Sequence, residues 1–296
     1  MVTSPFFRIQ QVADGVFAAL AKPGTGAGAN AGIVDLGRSA LVVDAMFTPA
    51  AGAALRDAAE RLTGGAVRWL VLTGADHDHV LGAQAFTRAT VIATPRTAGN
   101  VLRRAPRFLR AARRDGARWL EELGAAAHAQ PDPGERRARE AMRQDLLALL
   151  GSRNLRPVWP SLTFGSHLTI YGRSRHAEIL SFGGVHGEGD AVLFLPQERV
   201  LFCGDIVPVG RHPAVGAGDP DAWARVASRI ADLPADVVVG GHGPVGARED
   251  LLLAERYYWE LPDWARGTPV PEPFASWDAQ RSLLENLRYA QGVGER

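Results

Sequence analysis

The sequence predicts an α/β fold in which two series of alternating strands and helices are separated by a helical segment. Short apolar runs bounded by turn residues indicate strands, and stretches with apolar residues at helical spacing lie between them. In residues 96–152 the strand pattern disappears, and Ala, Arg, Leu and Glu predominate. With 296 residues and 46% hydrophobic composition, the chain can bury one large core. We therefore expect a single domain over 1–296, with a helical insertion at 96–152 and a tail helix within 267–296.

In the first third of the chain, the sequence pattern predicts short strands and two helices. A hairpin turns at Ala13-Asp14-Gly15, and the first helix ends at Gly64-Gly65, a pair that favours a helix C-cap. The predicted strands are 7–12, 16–21, 31–36, 40–43, 66–73 and 90–93, and the predicted helices are 49–62 and 80–86.

The rest of the chain returns to strands after the insertion. Within the insertion we expect two or three helices, broken near Pro106 and again at 130–134, where two prolines and a glycine occur. The later strands are predicted at 162–164, 167–171, 177–182, 191–195, 200–203 and 237–239, and the later helices at 220–233, 248–259 and 277–289.

Charge and composition exclude several classes of partner. Thirty-three basic residues against 32 acidic ones argue against a protein that coats nucleic acid or an anionic membrane. No apolar run approaches the roughly 20 residues of a membrane span. The single cysteine, Cys203, allows neither an internal disulfide nor a cysteine-based zinc site. The N-terminus lacks the features of a signal peptide. We therefore expect a cytoplasmic protein that acts on a small-molecule substrate.

A cluster of ligand-type side chains follows one of the buried strands. The apolar run 69–72 leads directly into Asp76, His77, Asp78 and His79. Active sites of open α/β sheets lie at such strand ends, because the sheet holds the loop residues rigidly. Two imidazoles and two carboxylates within four residues therefore predict a metal site at the mouth of a sheet.

Three later segments also place a histidine or an aspartate directly after a strand. His186 lies in a glycine-rich segment after a strand, Asp205 follows the predicted strand 200–203, and His242 stands between two glycines after the predicted strand 237–239. Glycine allows the backbone to approach a bound ion closely. The question is whether these segments complete the site that begins at Asp76.

In their order, the four segments resemble the motifs of the metallo-β-lactamase superfamily of metal-dependent hydrolases. The family pattern is Thr-His-x-His-x-Asp-His, followed by Gly-His-Thr, Gly-Asp and Gly-His-Gly. Here Val185 replaces the glycine before His186. The resemblance covers nearly the whole chain apart from the insertion and the tail. It implies the family's four-layer αββα sandwich, in which two sheets lie face to face with helices outside.

The resemblance also implies which residues bind metal. Asp78, His79 and His242 match the ligands of the family's second metal site. Asp205 matches the carboxylate that bridges two metals, and His186 matches the third histidine of the first metal site.

The first metal site departs from the family pattern at two positions. Gly74 stands where the first histidine belongs, and Asp76 stands where the second does. Glycine offers no side chain, whereas a carboxylate can still bind zinc at about 2.0–2.2 Å. A site poorer in nitrogen is weaker for zinc and more suitable for manganese or iron. We therefore expect one ion at the second site and, at most, a weakly bound one at the first.

The expected function is that of a metal-dependent hydrolase. A metal-bound hydroxide would attack an ester, thioester, lactone or amide bond, with zinc as the expected ion and manganese or iron as alternatives. Asp78 and Asp76 are the expected catalytic residues, and Asp76, Asp78, His79, His186, Asp205 and His242 are the expected metal ligands.

Two other functions remain open on the sequence alone. The ligand missing at Gly74 is compatible with a non-catalytic relative that serves as a binding module. The carboxylate of Asp76 is compatible with an iron-dependent oxidoreductase of the same fold, although similar iron proteins carry a flavin partner that this chain lacks. Metal analysis would separate the three.

Several side chains near these motifs have two interpretations. His77 either points away from the metal, which we favour, or replaces a missing ligand. His212 either lines the pocket or is held within a loop. The basic run over 103–114 is either a solvated helix face or a lid that attracts an anionic substrate. Tryptophans near the C-terminus indicate a packed tail or a homodimer contact.

Overall fold

A computed structural model describes residues 2–183, 190–215 and 220–291. Their strands form one sheet of seven strands and one of six. In the seven-stranded sheet the first four strands are antiparallel neighbours, and the last four run parallel to one another. Its strands, in spatial order, are β1 Phe7–Ala13, β2 Val16–Ala21, β3 Ala31–Asp35, β4 Ala40–Val43, β5 Val67–Val71, β6 Thr90–Ala93 and β7 Leu162–Thr163.

The six-stranded sheet comes from the second half of the chain. Its neighbours are antiparallel, except that β11 and β12 run parallel. From one edge to the other its strands are β13 Val245–Ala247, β12 Val237–Gly240, β11 Val200–Gly204, β10 Ala191–Leu195, β9 His176–Ser181 and β8 His167–Tyr171.

Helices cover the outer faces of both sheets. On the first sheet α1 is capped at its N-terminus by Thr48 and ends at Gly64, whose φ of 67° suits a residue without a side chain. The helices are α1 Pro49–Thr63, α2 His77–Val80, α3 Pro95–His128, α4 Pro133–Leu150, α5 Pro220–Ala231, α6 Arg248–Ala265 and α7 Gln280–Ala290.

The apolar core has three parts that match a four-layer arrangement. One cluster fills the space between the two sheets, with Val34, Leu41 and Val71 from one sheet and Leu193 and Phe202 from the other. A second cluster lies between the first sheet and helices α1 and α3, and a third between the second sheet and α5, α6 and α7. The predicted αββα sandwich is therefore confirmed.

The predicted helix break near Pro106 is wrong, because α3 continues through this residue. A proline within a helix costs about 3 kcal/mol or more, since it lacks one backbone hydrogen bond. Its neighbours Ala105 and Leu109 are buried against the core of the first sheet, and we attribute the continuity of the helix to this packing. The break predicted at 130–134 is confirmed, since α4 begins at Pro133 with its first turn capped by Asp132.

Other differences concern short elements and helix ends. The helix predicted at 80–86 begins earlier, as α2, and continues as the 3-10 helix Leu81–Ala85. The strand β13 was not predicted, and α6 extends through Pro262 beyond its predicted end at 259.

Among the described residues, none of the helices combines the length and the apolar character needed to cross a membrane.

Candidate metal centre

The candidate ligands follow strands whose ends meet at the mouth of the two sheets. Asp78 and His79 lie in α2, which comes shortly after β5. Asp205 directly follows β11, and His242 comes two residues after β12. Because β11 and β12 are parallel neighbours, their carboxyl ends lie side by side, which places Asp205 next to His242.

The structure brings four predicted ligands together. One ligand atom from each of Asp78, His79 and His242 lies within 4.8 Å of the others. The His242 Nε2 atom is 3.3 Å from Asp78 Oδ2 and 3.5 Å from Asp205 Oδ1. The His79 Nε2 atom is 3.3 Å from Asp205 Oδ2. Two imidazoles and two carboxylates therefore face a common point.

The outward nitrogen of His79 is buried and lacks a hydrogen bond. His79 is 2% exposed, and its Nε2 atom finds no hydrogen-bond partner within the described parts of the chain. The nearby Asp205 oxygen is within ion-pair distance, but the contact does not have hydrogen-bond geometry. A buried polar atom without a partner costs free energy. A metal ion bound between His79 and Asp205 would satisfy this nitrogen, so the residues present fit a metal.

The other nitrogen of His79 is held by Asp44. His79 Nδ1 lies 2.8 Å from Asp44 Oδ2. The Thr73 hydroxyl and backbone N–H donate to the two oxygens of the same carboxylate, at 2.7 and 2.9 Å. Asp44 directly follows β4, has a φ of 60° and is buried. A carboxylate behind a ligating histidine fixes its tautomer and ring orientation.

The charges in the site favour a cation between the carboxylates. Burial opposes a charge on His79, but Asp205, Asp44 and Asp78 together raise its pKa well above the ordinary value. Burial alone would raise the pKa of Asp78, yet His79 and His242 lower it. Asp78 thus retains negative charge, which a proton or a metal ion can balance.

Tight backbone packing allows the loops to converge. A Cβ atom at Gly241 would lie 2.3 Å from Asp205 Oδ1 and 2.6 Å from His79 Cε1. Only glycine fits between these two side chains. The buried Asn30 amide donates to the carbonyls of Gly240 and Gly243, both at 3.0 Å. Asn30 therefore fixes the backbone on either side of His242.

Asp76 and Gly74 lie in an adjoining pocket, which His79, Asp190 and Asp205 also line. Asp76 forms an ion pair with Arg104 of α3, with 2.9 Å between Asp76 Oδ1 and an arginine nitrogen. A Cβ atom at Gly74 would have an ordinary contact of 3.4 Å with Asp190 Oδ1. The pocket therefore has room for a Cβ atom at this position.

The remaining histidines have different surroundings. The His77 ring stacks on Phe108 with 4.0 Å between ring centroids. His212 is buried, and its Nδ1 atom lies 3.1 Å from the Tyr257 hydroxyl oxygen. It is therefore held within a loop rather than exposed in the pocket. His186 lies outside the described residues.

Sequence reasoning missed two residues of the centre and the specific role of a third. Asp44 and Asn30 belong to no ligand motif, although Asp44 follows an apolar strand as the predicted ligands do. Arg104 was noticed only as one member of a basic run. The position of Asp44 directly after β4 could have indicated that it belongs to the centre. The strands β4 and β5 are parallel neighbours, so their carboxyl ends lie at the same edge of the sheet.

Comparisons with known proteins agree with this fold. The model of the Metallo-beta-lactamase superfamily matches residues 24–242. No curated protein matches the sequence. A metallo-beta-lactamase from Pontibacter korlensis is similar in structure with a TM-score of 0.62 and 18% identity, over 86% of this chain and 99% of that one. A metallo-beta-lactamase from Hirschia baltica has a TM-score of 0.59 and 16% identity, over 86% and 98%.

The DIM-1 metallo-beta-lactamase is also similar, with a TM-score of 0.57 and 19% identity over 86% of this chain and 98% of that one. Such low identities show the fold alone. The matched residues 24–242 contain strands of both sheets and all four converging side chains. The chain therefore belongs to the metallo-beta-lactamase superfamily and has the fold of its metal-dependent hydrolases.

Proposed function

We propose that this protein is a hydrolase that uses one divalent ion to cleave an ester, thioester, lactone or amide bond of a small molecule. The observation that supports it is the convergence of Asp78, His79 and His242 beside Asp205. The unsatisfied Nε2 atom of the buried His79 faces the same point. Together these features provide a donor set that is more specific than a chance group of acidic residues.

The ion that suits these donors best is zinc. Zinc binds imidazole nitrogen and carboxylate oxygen, and manganese and iron accept the same donors. A bound ion of this kind lowers the pKa of a water ligand toward about 7 and polarises a carbonyl oxygen. We assign to Asp78 the orientation of the attacking water. To Asp76, which lines the adjoining pocket, we assign the role of accepting a proton from this water.

We propose a single tightly bound ion rather than two. Gly74 offers no ligand to a first site, and Asp76 is engaged by Arg104. A carboxylate that is paired with a guanidinium is a weaker ligand, because the guanidinium competes with the metal for its charge. One ion suffices for hydrolysis when it keeps a coordination position for water beside its protein donors, as catalytic zinc sites do.

The proposal is tested by metal content and hydrolysis in the same samples. Protein purified without chelator and supplied with zinc should contain about one ion per chain. Asp78→Ala and His242→Ala should each lose both the ion and the hydrolysis of a panel of esters, thioesters, lactones and amides. His167→Ala, at an exposed histidine outside the motifs, is the matched control.

The same samples distinguish the alternatives. Less than about 0.2 ion per chain after supplementation would favour the non-catalytic binding module. Stoichiometric iron with a visible absorption band would favour the oxidoreductase. Hydrolysis that persists in both Asp78→Ala and His242→Ala would contradict the proposed site.

A further inference from the structure

We propose that the helical insertion supports the metal centre. One turn of α3, from Arg104 to Phe108, clamps the residues that precede the ligands Asp78 and His79 and so sets the affinity of the site for its ion. The inference rests on the proposed metal site, and it assigns to Arg104 and Phe108 the role of positioning residues.

The first contact of the clamp is the ion pair of Arg104 with Asp76. The Asp76 side chain is 24% exposed and that of Arg104 is 45% exposed. Such an exposed pair contributes little to overall stability. Its position matters more, because Asp76 is the N-cap residue of α2 and its carbonyl accepts the backbone N–H of His79 at 3.0 Å. Fixing Asp76 therefore limits the movement of His79.

The second contact involves His77, whose ring stacks on Phe108 with an interplanar angle of 18°. The Phe108 ring is backed by Trp119, with 6.0 Å between centroids. Because Arg104 and Phe108 are four residues apart, they project from the same face of α3.

The ligand-bearing helix needs this support. α2 has only four residues, and so short a helix is not stable by itself. From the side of the sheets, Asp44 holds His79. From the outside, the clamp holds Asp76 and His77, which directly precede Asp78. The two ligands are thus fixed between the sheet and the insertion.

The clamp gives the insertion a role that differs from both interpretations of its basic run, the solvated helix face and the lid that attracts an anionic substrate. Arg104 is neither a freely solvated side chain nor mainly an attraction for an anionic substrate, since its guanidinium contacts Asp76. Arg107, one turn away on the exposed surface of α3, has no ion pair with a described residue. It therefore provides a matched control within the same helix.

The test compares zinc affinity in the full-length protein, measured by competition with a chromogenic chelator. Arg104→Gln and Phe108→Leu should each weaken zinc binding about tenfold, as loss of groups that orient ligands commonly does. Arg107→Gln should stay within about twofold of the wild type. Thermal melting of the metal-free proteins provides the second readout: the melting temperature should change little, while the increase on adding zinc becomes smaller.

Each outcome decides the matter. Zinc affinities of Arg104→Gln and Phe108→Leu within about twofold of the wild type would overturn the clamp while leaving the metal site intact. An equal loss in Arg107→Gln would also overturn it, since a general charge effect would then explain the result. If Phe108→Leu fails to fold, the zinc affinity of Arg104→Gln, a substitution at an exposed residue, decides whether the clamp exists. A wild type that binds no zinc would reject the clamp and the proposed function together.

Discussion

Asp44 holds His79 through a contact of 2.8 Å between Asp44 Oδ2 and His79 Nδ1. With Nδ1–H donating a hydrogen bond to this carboxylate, the Nε2 lone pair is left for an ion. Thr73 fixes the same carboxylate through its hydroxyl and its backbone N–H. The strand β4 thus contributes to the centre through a residue that touches no ion itself.

Replacing Asp44 by Asn should weaken metal binding by about 10- to 100-fold, because the imidazole loses its charged acceptor. The measurement is the zinc dissociation constant by chelator competition. Asp57→Asn, at an exposed aspartate paired with Arg56, should behave as the wild type. An unchanged dissociation constant in Asp44→Asn would show that the hydrogen bond does not support the ligand.

Gly241→Ala should disrupt the centre by steric conflict. The added methyl group would lie 2.3 Å from Asp205 Oδ1 and 2.6 Å from His79 Cε1, so the two side chains must separate. Overpacking of this kind commonly costs about 1–3 kcal/mol. We expect a lower free energy of unfolding in denaturant titration and loss of bound zinc.

The control for this substitution is Gly165→Ala, where an added Cβ atom meets open space. It should retain both stability and zinc. Full zinc occupancy in Gly241→Ala would be incompatible with the close approach of the two loops.

His212 should make stability depend on pH. Burial lowers its pKa to about 4 from the ordinary 6.5. The unfolded chain therefore takes up a proton near pH 6.5 that the folded protein accepts only near pH 4. The free energy of unfolding therefore decreases as the pH falls from about 6.5 to about 4. His212 accounts for up to about 1.4 kcal/mol of this decrease per pH unit.

The measurement is urea unfolding of the metal-free protein between about pH 7 and pH 4.5. His212→Gln should reduce the slope of the unfolding free energy against pH by about one proton. His167→Gln, at an exposed position, should retain the wild-type slope. Equal slopes for His212→Gln and the wild type would contradict a neutral, buried His212.

Restoring two histidines should create a second ion site. In Gly74→His the new Cβ atom has only an ordinary contact with Asp190, and Asp76→His removes the partner of Arg104. We expect the zinc content of the double variant to rise from about one to about two ions per chain in mass spectrometry. A content that stays at one would indicate that other features prevent the second ion.

Much of the fold follows from the sequence because strands are marked by apolar runs with clear ends. The strands His167–Tyr171 and Ala191–Leu195 have the predicted bounds. Proline predicted the break at 130–134 correctly but was a poor guide elsewhere, since α3 and α6 continue through Pro106 and Pro262. Burial of neighbouring side chains outweighs the lost hydrogen bond, and a local pattern does not reveal such packing.

The candidate site was predictable where its residues stand in motifs. Asp78, His79, Asp205 and His242 were selected from their positions after strands and from the resemblance to the family motifs, and the structure brings them together. The supporting contacts were not predictable in the same way. Asn30 reaches carbonyls more than 200 residues away in the chain, and local sequence carries no sign of such a contact.

The central claim is that Asp78, His79, Asp205 and His242 share one ion. A crystal structure of the protein grown with zinc, with anomalous scattering recorded at the zinc edge, tests it most directly. We predict one strong anomalous peak, with nitrogen and oxygen atoms of these four residues at about 2.0–2.2 Å. A peak coordinated by other residues, or none despite zinc in the crystal, would contradict the claim.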